Sequence, residues 1–274
     1  MIEIPEAVNL SRQMGDVFSG KVVAAVTAGG SPHKFAWLYG DAEGYAALAV
    51  GCRAAPADAV AGFARLSLGD ALAFFSEGMS VLYHAAGTER VKKHQLLIEF
   101  DDGSALSASA RMYGGAGIVP APGPDNPYYR VSLEKPSPLG DGFSWEHFAT
   151  IAEAAAATLS AKALLATEQR IPGLGNGVLQ DILFRAGIHP KRKISALDDR
   201  ELRTLHESVR STLREMTEAG GRDTESDLFG APGGYATLMS RLTVGTPCTV
   251  CGTPVEKAAH MGGSVHFCPV CEPL

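Results

Sequence analysis

The chain has 274 residues, 46% of them hydrophobic, and carries 24 basic against 30 acidic side chains for a formal net charge of −6. That length suits two compact domains, or one large domain with an appendage. No apolar run reaches the ~18 residues that cross a bilayer, and the acidic amino terminus lacks a basic-then-apolar leader, so a soluble cytoplasmic protein is expected. The acidic balance argues against a nucleic-acid binder, because phosphate neutralisation dominates such affinity. A local basic stripe would still be sufficient.

Residues 6–18 read as one helix, with Ala7, Leu10, Met14 and Val17 on a common face. From about Lys21 to Arg130 the signals turn to strand: VVAAV, ARLSL, LAFF, LLIEF and ALSASARMY are short apolar or alternating runs between Gly, Asp and Pro. Asp102-Gly103 joins two of them as a hairpin turn. A helical patch over 41–50 interrupts the set. The expected fold class is α+β, an antiparallel β-sandwich with the amino-terminal helix packed on it. Lys34 stands in an unusual cluster with His33, Phe35 and Trp37, and Lys92-Lys93 form a small basic pair. Cys52 reads as a small buried apolar residue.

Loop-rich segments over 120–126 and 136–142 mark a linker. Residues 145–159 are alanine-rich and read as helix. Residues 169–190, QRIPGLGNGVLQDILFRAGIHP, are the most informative stretch. Gly173 and Gly175 flank Leu174, so the backbone can turn tightly and approach a ligand. Asn176 follows where a helix should start, as a favoured cap. Val178, Leu179, Ile182 and Leu183 recur at helical spacing. A helix start fed by a glycine turn offers N–H groups to an anion, and the basic cluster Lys191, Arg192, Lys193 follows at once. Residues 195–219 read as the longest helix, with Ser195 as cap and Asp198 completing an S-x-x-D box. Leu202, Leu205, Val209, Leu213 and Met216 form its buried stripe, and Gly220-Gly221 stop it.

Five cysteines, four of them in CxxC pairs, argue for metal over disulfides. Cys248-x-x-Cys251 and Cys268-x-x-Cys271, with 16 residues between the pairs, match a ribbon that holds one tetrahedral Zn²⁺. Four thiolates leave no open position, so the site is structural. His260 and His266 lie between the knuckles and read as bystanders. Residues 258–266 should form a short hairpin held by the metal.

The segment GLGNGVLQDILFRAGIHP, the opening MIEIPEA and the four-cysteine finger together resemble the formamidopyrimidine-DNA glycosylase / endonuclease VIII family of base-excision repair proteins. The resemblance is strong from Ala163 to Cys271 and rests mainly on element order from Lys21 to Pro138. It implies three domains: 1–135 a β-sandwich with a catalytic-type amino terminus, 136–240 a helix–two-turn–helix DNA-binding domain, and 241–274 the zinc finger. It also implies a monomer that binds duplex DNA containing a damaged base or an abasic site, and excision of oxidised bases with AP-lyase cleavage. Catalytic-type positions fall on Met1, Ile2, Glu3 and Glu6. DNA-binding positions fall on Gly173, Gly175, Asn176 and Gln169, extended by Lys191, Arg192 and Lys193. Met79, Arg111, Met112 and Tyr113 are candidates to fill the gap left by a flipped base.

Three positions depart from the family's pattern. The family's nucleophile is the secondary α-amine of a proline exposed by removal of the initiator methionine. Ile2 stands there, and its bulk predicts that Met1 is retained. A lysine on a β-turn aligns with Phe63, and the finger's phosphate-gripping arginine aligns with Gly263 and Ser264. Two readings follow. In one, a glycosylase uses the Met1 α-amine, Lys34 or an activated water, with Glu3 as the acid or base. In the other, the chain is a catalytically inactive damaged-DNA-binding protein. A zinc-stabilised protein acting on RNA or ribosomes is a third, which the signature segment disfavours.

Overall fold

The structure, a computed structural model, describes residues 1–274. It divides into two compact units: Met1–Arg130 with Glu225–Gly233, and Val131–Thr224 with Gly234–Leu274. This differs from the expected three-part division in two respects. Residues 225–233 return to the first unit, and the finger shares one unit with the helices. No helix is long and apolar enough to cross a membrane.

The first unit starts with α1 (Ile4–Phe18), two residues earlier than its apolar stripe suggested. Glu3 is its N-cap, and Glu3 and Glu6 form a capping box, each carboxylate taking the other's backbone N–H. The strands are β1 (Val23–Ala28), β2 (Ala36–Tyr39), β3 (Ala54–Val60), β4 (Phe63–Leu68), β5 (Ala71–His84), β6 (Leu96–Phe100) and β7 (Ala105–Pro120), with a short helix α2 (Tyr45–Ala49) between β2 and β3. Their order is β1-β6-β7-β5-β4-β3, and β2 lies beside β7. All pairings are antiparallel except β2 with β7.

β5 and β7 are long enough to serve both halves of the sheet. β6 pairs with the first part of β7 and β2 with its last part. The change of direction falls at a bulge between Glu77 and Met79. Gly78 lies inside it, where a side chain would run into the Tyr113 carbonyl. The core between the halves unites Leu10, Met14 and Phe18 of α1 with Leu66, Phe75, Ile98 and Leu106 of the strands. Met79 is 5% exposed and packs within that core. On the other face a smaller cluster joins Phe63, Phe74, Val119 and Tyr129. Phe63, at the position aligned with the family's lysine, meets Tyr129 edge-on with ring centroids 5.2 Å apart.

The second unit takes in the end of α3 (Pro127–Glu134), then α4 (Trp145–Ala154), α5 (Ala161–Ala166), α6 (Val178–Ala186) and α7 (Asp199–Glu218). α4 is shorter than the 145–159 run read from the sequence. α7 starts later than expected: Asp198, with Glu201, is the cap and box, while Ser195 lies in a single 3-10 turn. The acidic pair wins because Glu201 returns a bond to the Asp198 N–H at 3.0 Å. Val178, Leu179, Ile182 and Leu183 of α6 are buried, as are Leu205, Val209, Leu213 and Met216 of α7. Asp181, also buried on α6, accepts the N–H groups of Leu238 and Met239 at 2.9 and 2.7 Å. The finger supplies the hairpin β8 (Glu256–His260) and β9 (Gly263–Phe267).

Candidate functional site

In the first unit the amino terminus is drawn into a cluster of carboxylates. The Ile2 N–H donates to the Glu77 carbonyl at 2.5 Å, and the Ile2 side chain enters the core. That pins Glu3, 2% exposed, at the head of α1. The Met1 ammonium forms an ion pair with Glu225, a residue that returns to this unit from far along the chain. Tyr113 donates its hydroxyl to the Met1 sulfur at 3.7 Å. Partial burial, and then the charges of Glu77 and Glu3, hold Tyr113 above its ordinary pKa, so it stays protonated. Burial also raises the Glu77 carboxyl. Glu77 has φ +55, a conformation that side-chain-bearing residues seldom adopt and that concentrates at functional positions. The cluster therefore presents a primary amine, one buried and two half-buried carboxylates and a neutral phenol.

In the second unit the glycine turn, α5 and the finger hairpin converge. Gly173 has φ +77, which lets the chain reverse before α6. Asn176 does not cap that helix; Gly177 occupies the cap position. Its side-chain N–H group instead donates to the Ser264 carbonyl at 3.0 Å. The Asn176 Oδ1 is buried without a hydrogen-bond partner. Gln180 reinforces the same join: its Nε2 donates to the carbonyls of Asn176 and Ser264 at 2.9 and 3.2 Å, and its Oε1 accepts the His266 N–H at 3.0 Å. Lys162, 5% exposed on α5, donates to the His260 carbonyl at 2.8 Å. Burial lowers its pKa. His260 meets the Ser160 hydroxyl at 3.0 Å, and burial followed by Lys162 and Lys191 lowers its pKa. A buried ammonium beside an amide and two lysine-flanked imidazoles, His189 and His260, is a setting for an anion.

The remaining sequence candidates divide. Arg192 commits its guanidinium to Glu201 through contacts of 2.6 and 3.0 Å, leaving Lys191 and the exposed Lys193 uncommitted. Gln169, at φ +48, accepts Lys135 on its carbonyl at 2.6 Å. Gly263 and Ser264 sit at the start of β9, behind a tip made by Met261 and Gly262. Arg111, Met112 and Tyr113 are exposed. Lys34 is exposed, with its ammonium 5.2 Å from the Phe35 ring centroid. Lys162, Gln180, Glu77 and Glu225 escaped the sequence reading. Only Lys162 left a signal there, as a charge inside the apolar run AKALLA.

Cys248, Cys251, Cys268 and Cys271 bring their sulfurs within 4.8 Å of one another. The pairs Cys248–Cys271 and Cys251–Cys268 lie at 3.9 and 3.4 Å. Four sulfurs at ~2.3 Å from a tetrahedral zinc would stand about 3.8 Å apart, so the donor set fits that ion. Neither His260 nor His266 joins the group. Cys248 and Cys268 pack with Phe184, Met239 and Val255.

Residues 135–227 match the model of the formamidopyrimidine-DNA glycosylase H2TH domain. The formamidopyrimidine-DNA glycosylase of Shouchella clausii is 32% identical over 203 residues, covering 72% of this chain and 71% of that protein. That of Brevibacillus brevis is 29% identical over 99% of both chains. Among solved structures, the MutM (Fpg) protein of Thermus thermophilus superposes with a TM-score of 0.80 at 25% identity, over 98% of each chain. The Lactococcus lactis Fpg in complex with DNA containing an oxidised pyrimidine shares the fold at a TM-score of 0.82 and 21% identity, over 99% of this chain and 100% of that one. The chain belongs to the formamidopyrimidine-DNA glycosylase / endonuclease VIII family.

Proposed function

We propose that this protein acts in base-excision repair as a monomer that binds damaged duplex DNA and excises an oxidised base, as a DNA glycosylase with AP-lyase activity. The observation that carries the reading is the amino terminus, where the Met1 α-amine is held by Glu225 two residues ahead of the buried Glu3 at the head of α1, within a chain of this family. In this reading the neutral Met1 amine attacks the sugar C1′ as the bond to the base breaks. Glu3 gives a proton to the ribose ring oxygen, which leaves C1′ and remains on C4′ as a hydroxyl, and the opened sugar is held as a protonated imine. Elimination of the 3′-phosphate then cleaves the strand. Glu225 holds the amine in place beforehand and takes up the proton it must lose.

The second unit supports binding. Lys162, Asn176 and the N–H groups at the glycine turn would take a backbone phosphate, and Lys191 and Lys193 would extend the charge. The four cysteines would hold one structural zinc ion that keeps the hairpin rigid. Exposed Met112 and Tyr113, with Arg111, are the groups available to fill the gap of a flipped nucleotide.

The competing reading, a binder without turnover, draws on the ion pair that ties the Met1 amine to Glu225 and on Phe63 in place of a cation. Borohydride trapping on duplexes with an abasic site, an oxidised purine or an oxidised pyrimidine separates the two. A covalent adduct mapped to Met1, lost in Glu3→Gln by about a hundredfold or more while binding persists, is the expected result. An adduct at Lys34 would move the nucleophile. Tight binding with neither adduct nor base release would establish the inactive binder.

A further inference from the structure

Two of the three carboxylates at the amino terminus already have partners. Glu3 caps α1 and accepts the Glu6 N–H, and Glu225 holds the Met1 ammonium. The third, Glu77, is half-buried, and its carboxyl takes part in no hydrogen bond and no ion pair. Its backbone is costly as well. In a regular strand Phe75, Glu77 and Met79 would share one face, and Phe75 and Met79 do enter the core. The bulge and the φ of +55 at Glu77 break that alternation. Glycine would adopt this φ without strain. A strained backbone and a carboxyl buried without a partner both work against the fold, and such features concentrate where a group is used.

The groups that face this carboxyl belong to the amino terminus and to two strands. The Glu77 carbonyl accepts the Ile2 N–H, which places Met1 next to the bridge between Ile2 and Glu77. The Glu77 charge bears on Tyr113 of β7 and on Tyr39 of β2. Tyr113 in turn feels Glu3 and reaches the Met1 sulfur. The titratable neighbours are thus the Met1 amine with its partner Glu225, Glu3, Tyr39 and Tyr113. Burial raises the Glu77 carboxyl, so it keeps its proton to higher pH than an ordinary glutamic acid.

The reaction read above moves three protons around the sugar C1′. The amine sheds one to Glu225, and the ring oxygen gains one from Glu3. The third is needed by the base. When the C1′–N bond breaks, its electron pair stays on the base, and an anionic base leaves poorly unless an acid stands within reach. Glu77 cannot be the acceptor for the amine, whose partner is Glu225, and it is the one carboxyl of the cluster left without a partner.

We propose that Glu77 is the general acid for the departing base. Its carboxyl donates a hydrogen bond to a ring nitrogen or carbonyl oxygen of the extruded base and passes its proton there as the C1′–N bond breaks. The base departs neutral, and Glu77 is left as a carboxylate that solvent water reprotonates. The assignment rests on the repair reading above and adds a residue that acts on the base to those that act on the sugar.

The test separates base release from strand cleavage. Single-turnover rates of the full chain are measured across pH on a duplex with an oxidised base and on the same duplex with a preformed abasic site. The second substrate has no base to protonate. Glu77→Gln keeps the shape and removes the acid, and should slow base release about a hundredfold, with a loss on the abasic site smaller by about tenfold or more. Wild-type base release should fall as pH rises through the Glu77 pKa, and that alkaline limb should be missing from the variant. Glu77→Gly relieves the backbone, retains the carbonyl that takes the Ile2 N–H, and should show the same selective loss. Equal losses on the two duplexes, unchanged base release, or an alkaline limb that survives in both variants would each overturn the assignment alone, with the wild type active. A wild type inert on both duplexes overturns the repair reading and this role with it.

Discussion

The two units hold their chemical groups in opposite ways. At the amino terminus the donor is a cation and its neighbours are carboxylates: Met1 meets Glu225, with Glu3 and Glu77 close by. At the finger hairpin the donors are Lys162, Asn176 and Gln180, and all of them end on carbonyls of the protein itself. A carboxylate can take the proton that an amine must shed. A carbonyl can only be exchanged for another acceptor. The first arrangement is suited to proton transfer, whereas the second is a seat from which a phosphate can displace a weaker partner.

The largest expected effect strikes the carbonyl side. Cys248→Ser removes one of four thiolates and opens the cluster of Phe184, Met239, Val255 and Cys268. Apparent zinc binding in small fingers is about 10–16 kcal/mol, so loss of the metal should unfold β8 and β9 and abolish the Lys162 and Asn176 contacts. Zinc content, near-ultraviolet circular dichroism and duplex affinity report it. A zinc-free variant with full DNA affinity would remove the hairpin from the grip. A smaller effect is expected of Asn176→Ala, a loss of about tenfold in duplex affinity that is uniform across base sequences, as for a phosphate contact. Sequence-dependent losses would instead make Asn176 a reader of bases.

The smallest effect concerns the carboxylate side. Burial raises the Glu77 pKa, so the fold disfavours its ionised form. Stability is therefore lost as pH rises from the ordinary Glu value of about 4.3 through the raised folded value. Glu77→Gln should cancel that loss and stabilise the protein slightly at neutral pH. Thermal unfolding of both proteins from acid to neutral pH measures it. Identical slopes would mean that Glu77 is solvated.

What the sequence made legible was local. The α6 stripe and the cysteine spacing carry their meaning within a few residues, and Leu10 and Met14 of α1 landed in the core as their periodicity required. The readings that failed turned on a competing partner, near or distant. Asn176 has the chemistry of a cap, but the Ser264 carbonyl, 88 positions along, takes its side chain. Ser195 has cap chemistry too, but Asp198 and Glu201 satisfy each other's N–H groups one turn later. Lys162, a charge within the apolar run AKALLA, finds its acceptor in the His260 carbonyl, 98 positions along. Nothing near Glu225 announces that it lies against a residue 224 positions earlier.

That last pairing bears on how the chain is made. Gln13 donates to Asp227 at 2.8 Å and accepts the Leu228 N–H at 2.9 Å, and Leu228 is buried in the core of the amino-terminal unit. Synthesis proceeds from the amino terminus, and closing so long a loop is slow as well as entropically costly. On the ribosome the amino-terminal unit therefore waits, with part of its core open, until the 225–233 segment emerges. The helices between would by then have had time to fold, so the part of the protein translated first is the part completed late.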